Sequence, residues 1–135
     1  MSEETRMLGG QSLAEALEGC LAEWSERTGI AVETWALPAT DVPSPVSSGV
    51  MTAMREALSN VEKHSRARTV SIAVTVGRSG LRMTVSDDGQ GFAMTRAGRG
   101  IARMRAAFAE IGGGLSVNSV LGEGTTVSGV ISKNR

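Results

Sequence analysis

Four clusters in this 135-residue chain combine a carboxylate, an amide, basic groups and glycines at spacings that suit a bound nucleotide. Glu56, Asn60, Lys63 and His64 stand at helical offsets of four, seven and eight, on the side opposite an apolar stripe. A carboxylate with a neutral oxygen ligand suits magnesium, which keeps several waters and takes few protein ligands beside phosphate oxygens. Lys63 adds a point charge for phosphate. Downstream, Asp87-x-Gly89-x-Gly91 places a carboxylate at a strand end before a turn where backbone can approach a ligand closely. That carboxylate can accept from an exocyclic amine, which distinguishes adenine from guanine; Asp88, read as solvent-facing, is the lesser candidate. Gly98-x-Gly100 opens a helix, where free backbone N–H groups make an anion site, with Arg96, Arg99 and Arg103 nearby. Gly124-Thr125 begins the last strand, where the hydroxyl can reach adenine directly or through water.

Each cluster also has a plain structural reading. The first is an ordinary solvated helix face, the second a hairpin turn that favours Asp and Gly. The third is a pair of glycines that only permit a turn, the fourth a common strand opening. His64 reads either as a phosphate neighbour or as a satisfied helix-end residue. As the single histidine, it leaves no His-based metal site or catalytic triad within this chain. The four clusters in this order are what point to a nucleotide pocket.

Composition narrows the classes. Fourteen basic residues balance fourteen acidic ones, so no global charge points to nucleic acid or an anionic membrane. Aromatics at 3% argue against a base-stacking surface. The one cysteine, Cys20, forms no internal disulfide, fits a reducing compartment and sits in an apolar helical pattern as a small core residue. No apolar run approaches the length of a membrane span, and the N-terminus does not read as a signal peptide. The expectation is a cytoplasmic domain with no contact to nucleic acid or membrane.

The elements that must position these residues follow from periodicity and turn chemistry. Residues 1–11 read as a flexible lead-in and 12–135 as one domain. Ser12 with Glu15 has capping-box spacing, and Leu13, Leu17, Leu21 and Trp24 repeat at helical spacing up to Gly29. Residues 30–37 alternate as a strand and 38–45 read as a loop. A second helix begins at Ser47 or Ser48, with Val50, Met54, Ala57, Leu58 and Val61 facing the core. Residues 69–76 and 81–85 form a hairpin through Gly77-Arg78-Ser79-Gly80. A third helix runs over 100–111, with Ile101, Met104, Phe108 and Ile111 inward, and stops at three glycines. Residues 115–120 and 126–131 close the chain as a second hairpin. The fold class is α+β, a two-layer sandwich of a mixed, mostly antiparallel sheet with helices on one face.

Glu56-x-x-x-Asn60-x-x-Lys63-His64, Asp87-x-Gly89-x-Gly91, Gly98-x-Gly100 and Gly124-Thr125 together resemble the N, G1 and G2 boxes and terminal Gly-Thr of sensor histidine kinases. These motifs mark the catalytic ATP-binding domain, with the Bergerat fold shared by gyrase, Hsp90 and MutL. The run from Arg55 to Asn60, the Gly100-Ile101-x-x-Met104-Arg105 pattern and the six residues between Gly91 and Gly98 are similar to one subfamily. Its partners are LuxR-type response regulators. Ile101 stands where leucine is usual, a volume-conserving change.

The resemblance implies roles. Asn60 would ligate magnesium, Glu56 would hold a water of the metal's shell, and Lys63 and His64 would approach the phosphates of ATP. Asp87 would bond the adenine amine with Thr125 in support, Gly89 and Gly91 would admit the base and ribose, Gly98 and Gly100 would shape the lid, and Ile101 would belong to the cofactor-binding set. The implied activity is transfer of the γ-phosphoryl group to a histidine on a dimerisation helix bundle, which is not among these residues. The domain by itself is expected to be a monomer. Two other readings stay open: an anti-sigma-factor type serine kinase of the same fold, and a kinase-like module that docks a partner without nucleotide.

Overall fold

The computed structural model describes residues 12–89, 99–120 and 122–132. Helix α1 (Leu13–Thr28) starts at a reciprocal capping box. The Ser12 Oγ accepts from the Glu15 N–H at 3.2 Å, and the Ser12 N–H donates to Glu15 Oε1 at 3.0 Å, so two orphan donors of the first turn are satisfied. The Leu13 N–H donates to Asp41 Oδ1 at 3.1 Å, which ties the connection after strand β1 (Ala31–Ala36) to the start of the helix. Leu13, Leu17, Leu21 and Trp24 are buried, as their spacing predicts. Cys20 is half-buried against the core, and that burial pushes its thiol pKa up, away from reactivity.

Helix α2 (Ser44–Asn60) begins three residues before the predicted Ser47. The loop reading of 38–45 rests on its prolines. Yet Pro43 serves as N-cap and Pro45 sits in the first turn, where a missing N–H removes no helical bond and the fixed φ is already helical. Val50, Met54, Ala57, Leu58 and Val61 are buried as predicted. The helix then widens into a π turn (Val61–Ser65) that ends at Arg66 with φ 56°.

Strands β2 (Thr69–Gly77) and β3 (Gly80–Asp87) pair antiparallel around Arg78-Ser79. Helix α3 (Arg99–Glu110) ends in a Schellman arrangement, with Gly113 N–H to Phe108 O at 2.8 Å and Gly112 N–H to Ala109 O at 3.1 Å. Strands β4 (Gly114–Val120) and β5 (Gly124–Ser132) form the second hairpin.

The sheet order is β1-β2-β3-β5-β4. Only β1 and β2 run parallel, and α2 supplies the crossover such a pair requires. The register slips between Thr34 and Ala36, and Trp35 between them is exposed. Strand alternation divides the sheet. Val70, Ile72, Val74, Leu81, Met83, Val85 and Val127 lie buried among the helices, while Ser71, Thr84, Ser86, Thr126 and Ser128 take the opposite, open face. The two-layer α+β sandwich is therefore the observed fold.

The packing of α3 on the sheet is tight. Phe108 is fully buried, and a Cβ placed on Gly129 of β5 would stand 2.6 Å from two of its ring carbons. A rigid ring in a close-packed core cannot yield cheaply, so Gly129→Ala is expected to lower the unfolding free energy by about 1–3 kcal/mol. Denaturant unfolding followed by circular dichroism checks this as a reduced midpoint at unchanged slope.

Candidate functional site

The described part of the predicted site forms two groups, one where α2 meets α3 and one at the end of β3 and β5. Glu56 and Asn60 close the last turn of α2, and the first turn of α3 rests on them. A Cβ on Gly100 would lie 3.2 Å from Asn60 Oδ1 and 3.4 Å from Glu56 Oε1, so glycine lets the helix start against both side chains without pressing on them. One turn later Arg103 reaches back to the same carboxylate, with Nε to Glu56 Oε2 at 2.7 Å and a second guanidinium nitrogen to Oε1 at 3.3 Å. The sequence offers Arg103 only as diffuse positive charge. The fold makes it a two-point clamp on Glu56.

The π turn alters the premise for Lys63 and His64. Bonds that span five residues widen the helix, so the α-helical offsets of seven and eight from Glu56 no longer hold there. Lys63 is exposed. The side chain of His64, like Gly91, Gly98 and Arg96, lies outside the described residues, as does residue range 1–11.

Asp87 and Asp88 separate by strand alternation. Asp88 is exposed, as expected, and it also supports the fold. Its Oδ1 accepts the N–H groups of Arg68 and Thr69 at 3.0 and 3.2 Å, which fastens the start of β2. Asp87 points to the helix side and is 9% exposed. Its Oδ1 accepts the Gly89 N–H at 2.8 Å. Burial raises its pKa above the ordinary carboxylate value, opposed by the Gly89 N–H; the charge of Asp88 raises it further and the Thr125 N–H lowers it.

Across the sheet, Asp87 pairs with Thr125, and Thr125 with Ser119. The rows below this one are apolar, so the buried face ends in a polar row of carboxylate and two hydroxyls. Gly124 makes the approach possible. It sits at φ 91°, and a Cβ there would collide with the Asp87 carbonyl oxygen. Ser119, 4% exposed, is not among the residues singled out from sequence, although the alternation Leu115, Val117, Ser119 places it on the buried face. Ile101 is buried in the core directly after Gly100.

Among the described residues, no three His, Cys, Asp or Glu groups converge on a metal position. The donor set beside Gly100 is one amide oxygen and one carboxylate, which fits a cation such as magnesium that carries most of its shell as water and phosphate.

The raised pKa of Asp87 carries a stability consequence. Between the unfolded and the folded pKa, the folded state binds more protons, so stability falls as pH rises through that window. Charged Asp87 therefore costs stability at neutral pH. Asp87→Asn keeps an oxygen for the Gly89 N–H and removes the charge. It is expected to melt higher than the wild type at neutral pH, with the difference vanishing in acid. Thermal melts across pH check this, and a variant that melts lower at neutral pH would contradict it.

Residues 46–134 match the family model described as histidine kinase-, DNA gyrase B-, and HSP90-like ATPase. The sensor histidine kinase LiaS of Bacillus subtilis is 35% identical over 123 residues, covering 89% of this chain and 34% of LiaS. The sensor histidine kinase MctS of Rhizobium johnstonii is 32% identical over 136 residues, covering 96% of this chain and 29% of MctS. The chain thus spans about a third of the length of these curated relatives. The fold is similar to the histidine kinase domain of a blue-light activated histidine kinase from Erythrobacter litoralis, at TM-score 0.77 and 23% identity over 97% of this chain and 64% of that one. No helix among the described residues is long and apolar enough to cross a membrane. With two thirds of its length inside the family model and the fold to match, the chain belongs to the histidine kinase-, DNA gyrase B- and HSP90-like ATPases.

Proposed function

We propose that this chain is the Mg-ATP-binding catalytic domain of a sensor histidine kinase, transferring the γ-phosphoryl group of ATP to a histidine on a dimerisation helix bundle. The observation that carries the reading is the seat of Gly100 on Asn60 and Glu56. It puts the N-terminus of α3, whose first-turn N–H groups have no acceptor within the helix, against the donor set that suits a metal-bound polyphosphate. Asp87 and Thr125 lie at the end of the sheet where β2 starts, a short connection after the π turn, since Val70 pairs with Asp87.

In this reading Asn60 holds the magnesium, which when bound supplies charge neutralisation on the phosphates. Glu56 orients a water of its shell and is itself aimed by Arg103. By the resemblance alone, Lys63 and His64 would approach the phosphates and Gly89, Gly91, Gly98 and Gly100 would let backbone pass close to the nucleotide, while Ile101 anchors the first turn of α3 in the core. Asp87 accepts from the adenine amine, with Thr125 beside it. The chemistry left to the protein is positioning and charge stabilisation, as in phosphoryl transfer generally. Without a nucleophile held in line, the domain by itself binds ATP and turns it over slowly. Similarity to LiaS and MctS supports a place in two-component signalling. The Arg55–Asn60 run and the Gly100-Ile101-x-x-Met104-Arg105 pattern support a LuxR-type regulator as the downstream partner. The domain works in the cytoplasm as a monomer until joined to its helix bundle.

Calorimetric titration with ATP, with and without magnesium and against GTP, tests the reading. Magnesium-dependent binding of ATP but not GTP is expected, and no binding at near-millimolar ATP would overturn it. Asn60→Ala is expected to abolish the gain from magnesium. Asp87→Asn, whose amide nitrogen faces the ligand once its oxygen holds Gly89, is expected to lose about 1–3 kcal/mol of ATP affinity.

A further inference from the structure

We propose that Arg103 is a substrate-contacting residue: moored on Glu56, its guanidinium offers its remaining N–H groups to the terminal phosphate of the bound nucleotide. The proposal rests on the nucleotide reading above and adds to it a residue outside the recognised motifs.

Arg103 stands one turn into α3, on the exposed side of the helix. Its Nε and one terminal nitrogen meet the two Glu56 oxygens at 2.7 and 3.3 Å. A guanidinium carries five N–H donors in one rigid plane. Glu56 takes two of them, and no other acceptor meets Arg103 among the described residues. The other three lie in the plane that Glu56 fixes. With the side chain 55% exposed, a ligand can reach them.

The surroundings select the ligand. Glu56 Oε1 lies 3.4 Å from where a Cβ on Gly100 would stand, so the guanidinium is held beside the first turn of α3. The N–H groups of that turn have no acceptor within the helix and favour an anion. A phosphate has oxygens enough to meet both sets of donors, and the guanidinium fork matches it as well as it matches a carboxylate. The base is read at Asp87 and Thr125, in the other group of the site. The phosphates therefore extend away from there toward α3, and the exposed guanidinium meets their far end. The ion pair itself adds little to stability. Its effect is to order a long side chain before the nucleotide arrives, which spares binding that entropy.

The test is calorimetric titration of wild type, Arg103→Ala and Arg103→Lys with Mg-ATP and with Mg-ADP, which lacks the terminal phosphate. Arg103→Ala is expected to weaken ATP roughly three- to thirtyfold, the effect of a hydrogen bond to a charged group discounted for exposure, and to leave ADP unchanged. Arg103→Lys keeps the charge without the fork. It should fall between, and it carries the same comparison if the alanine variant does not fold. In a Glu56→Ala background, Arg103→Ala is expected still to cost ATP more than ADP. Unchanged ATP affinity overturns the proposal. So does an equal loss for both nucleotides, which would mean that Arg103 supplies only diffuse charge. A loss that vanishes in the Glu56→Ala background overturns it too, because Arg103 would then act only by holding Glu56. A wild type that binds neither nucleotide overturns the nucleotide reading itself, and this proposal with it.

Discussion

The structure depends on how closely helix α3 can lie against its neighbours. At its C-terminal end the Phe108 ring occupies the space where Gly129 has no side chain. At its N-terminal end Gly100 sits on Asn60 and Glu56. Between them Ile101, Met104 and Phe108 bury one stripe in the core. Gly129 thus lets α3 lie close on the sheet, and Gly100 lets its first turn rest on the polar face of α2. The Arg103–Glu56 pair adds direction to this packing. It is half in solvent and contributes little to stability, but it fixes where the carboxylate points.

A second constraint acts at the sheet end. The helix-facing side of β3, β5 and β4 is apolar until its last row, where Asp87, Thr125 and Ser119 replace aliphatic side chains. Burying a carboxylate is unfavourable, and the raised pKa of Asp87 is the sign of that cost. The surrounding fold offsets it with the Gly89 N–H, the Thr125 N–H and the close approach of Gly124. Asp88, one residue on and facing the other way, holds the start of β2 in place. Two adjacent aspartates are divided into a fastening group and an available one by nothing more than the pleat of the strand.

Much of the architecture is readable in the chain because it rests on local rules. The Ser12–Glu15 capping box, the Leu13–Trp24 repeat, the two hairpins and the three-glycine stop of α3 all require information from within a few residues, and all appear. Where sequence and structure differ, a local signal has two outcomes. Pro43 and Pro45 break a helix interior yet suit a first turn, so α2 starts earlier than the loop reading allows. The π turn at Val61–Ser65 has no signature in the apolar period, since Val61 is buried in either helix type.

Of the candidate site, the sequence by itself determined the inventory: Glu56 and Asn60 one helical turn apart, Asp87 at a strand end, glycines at positions where backbone must approach closely, and Thr125 at the opening of the last strand. Residue type and short spacing suffice for that. Only the tertiary structure decided which of these meet. Arg103 and Glu56 are 47 positions apart in the chain, and Ser119 joins Thr125 and Asp87 only because β5 is placed between β3 and β4. Pairing across strands and packing between helices are set by the whole core at once, which is why no stretch of the chain announces them.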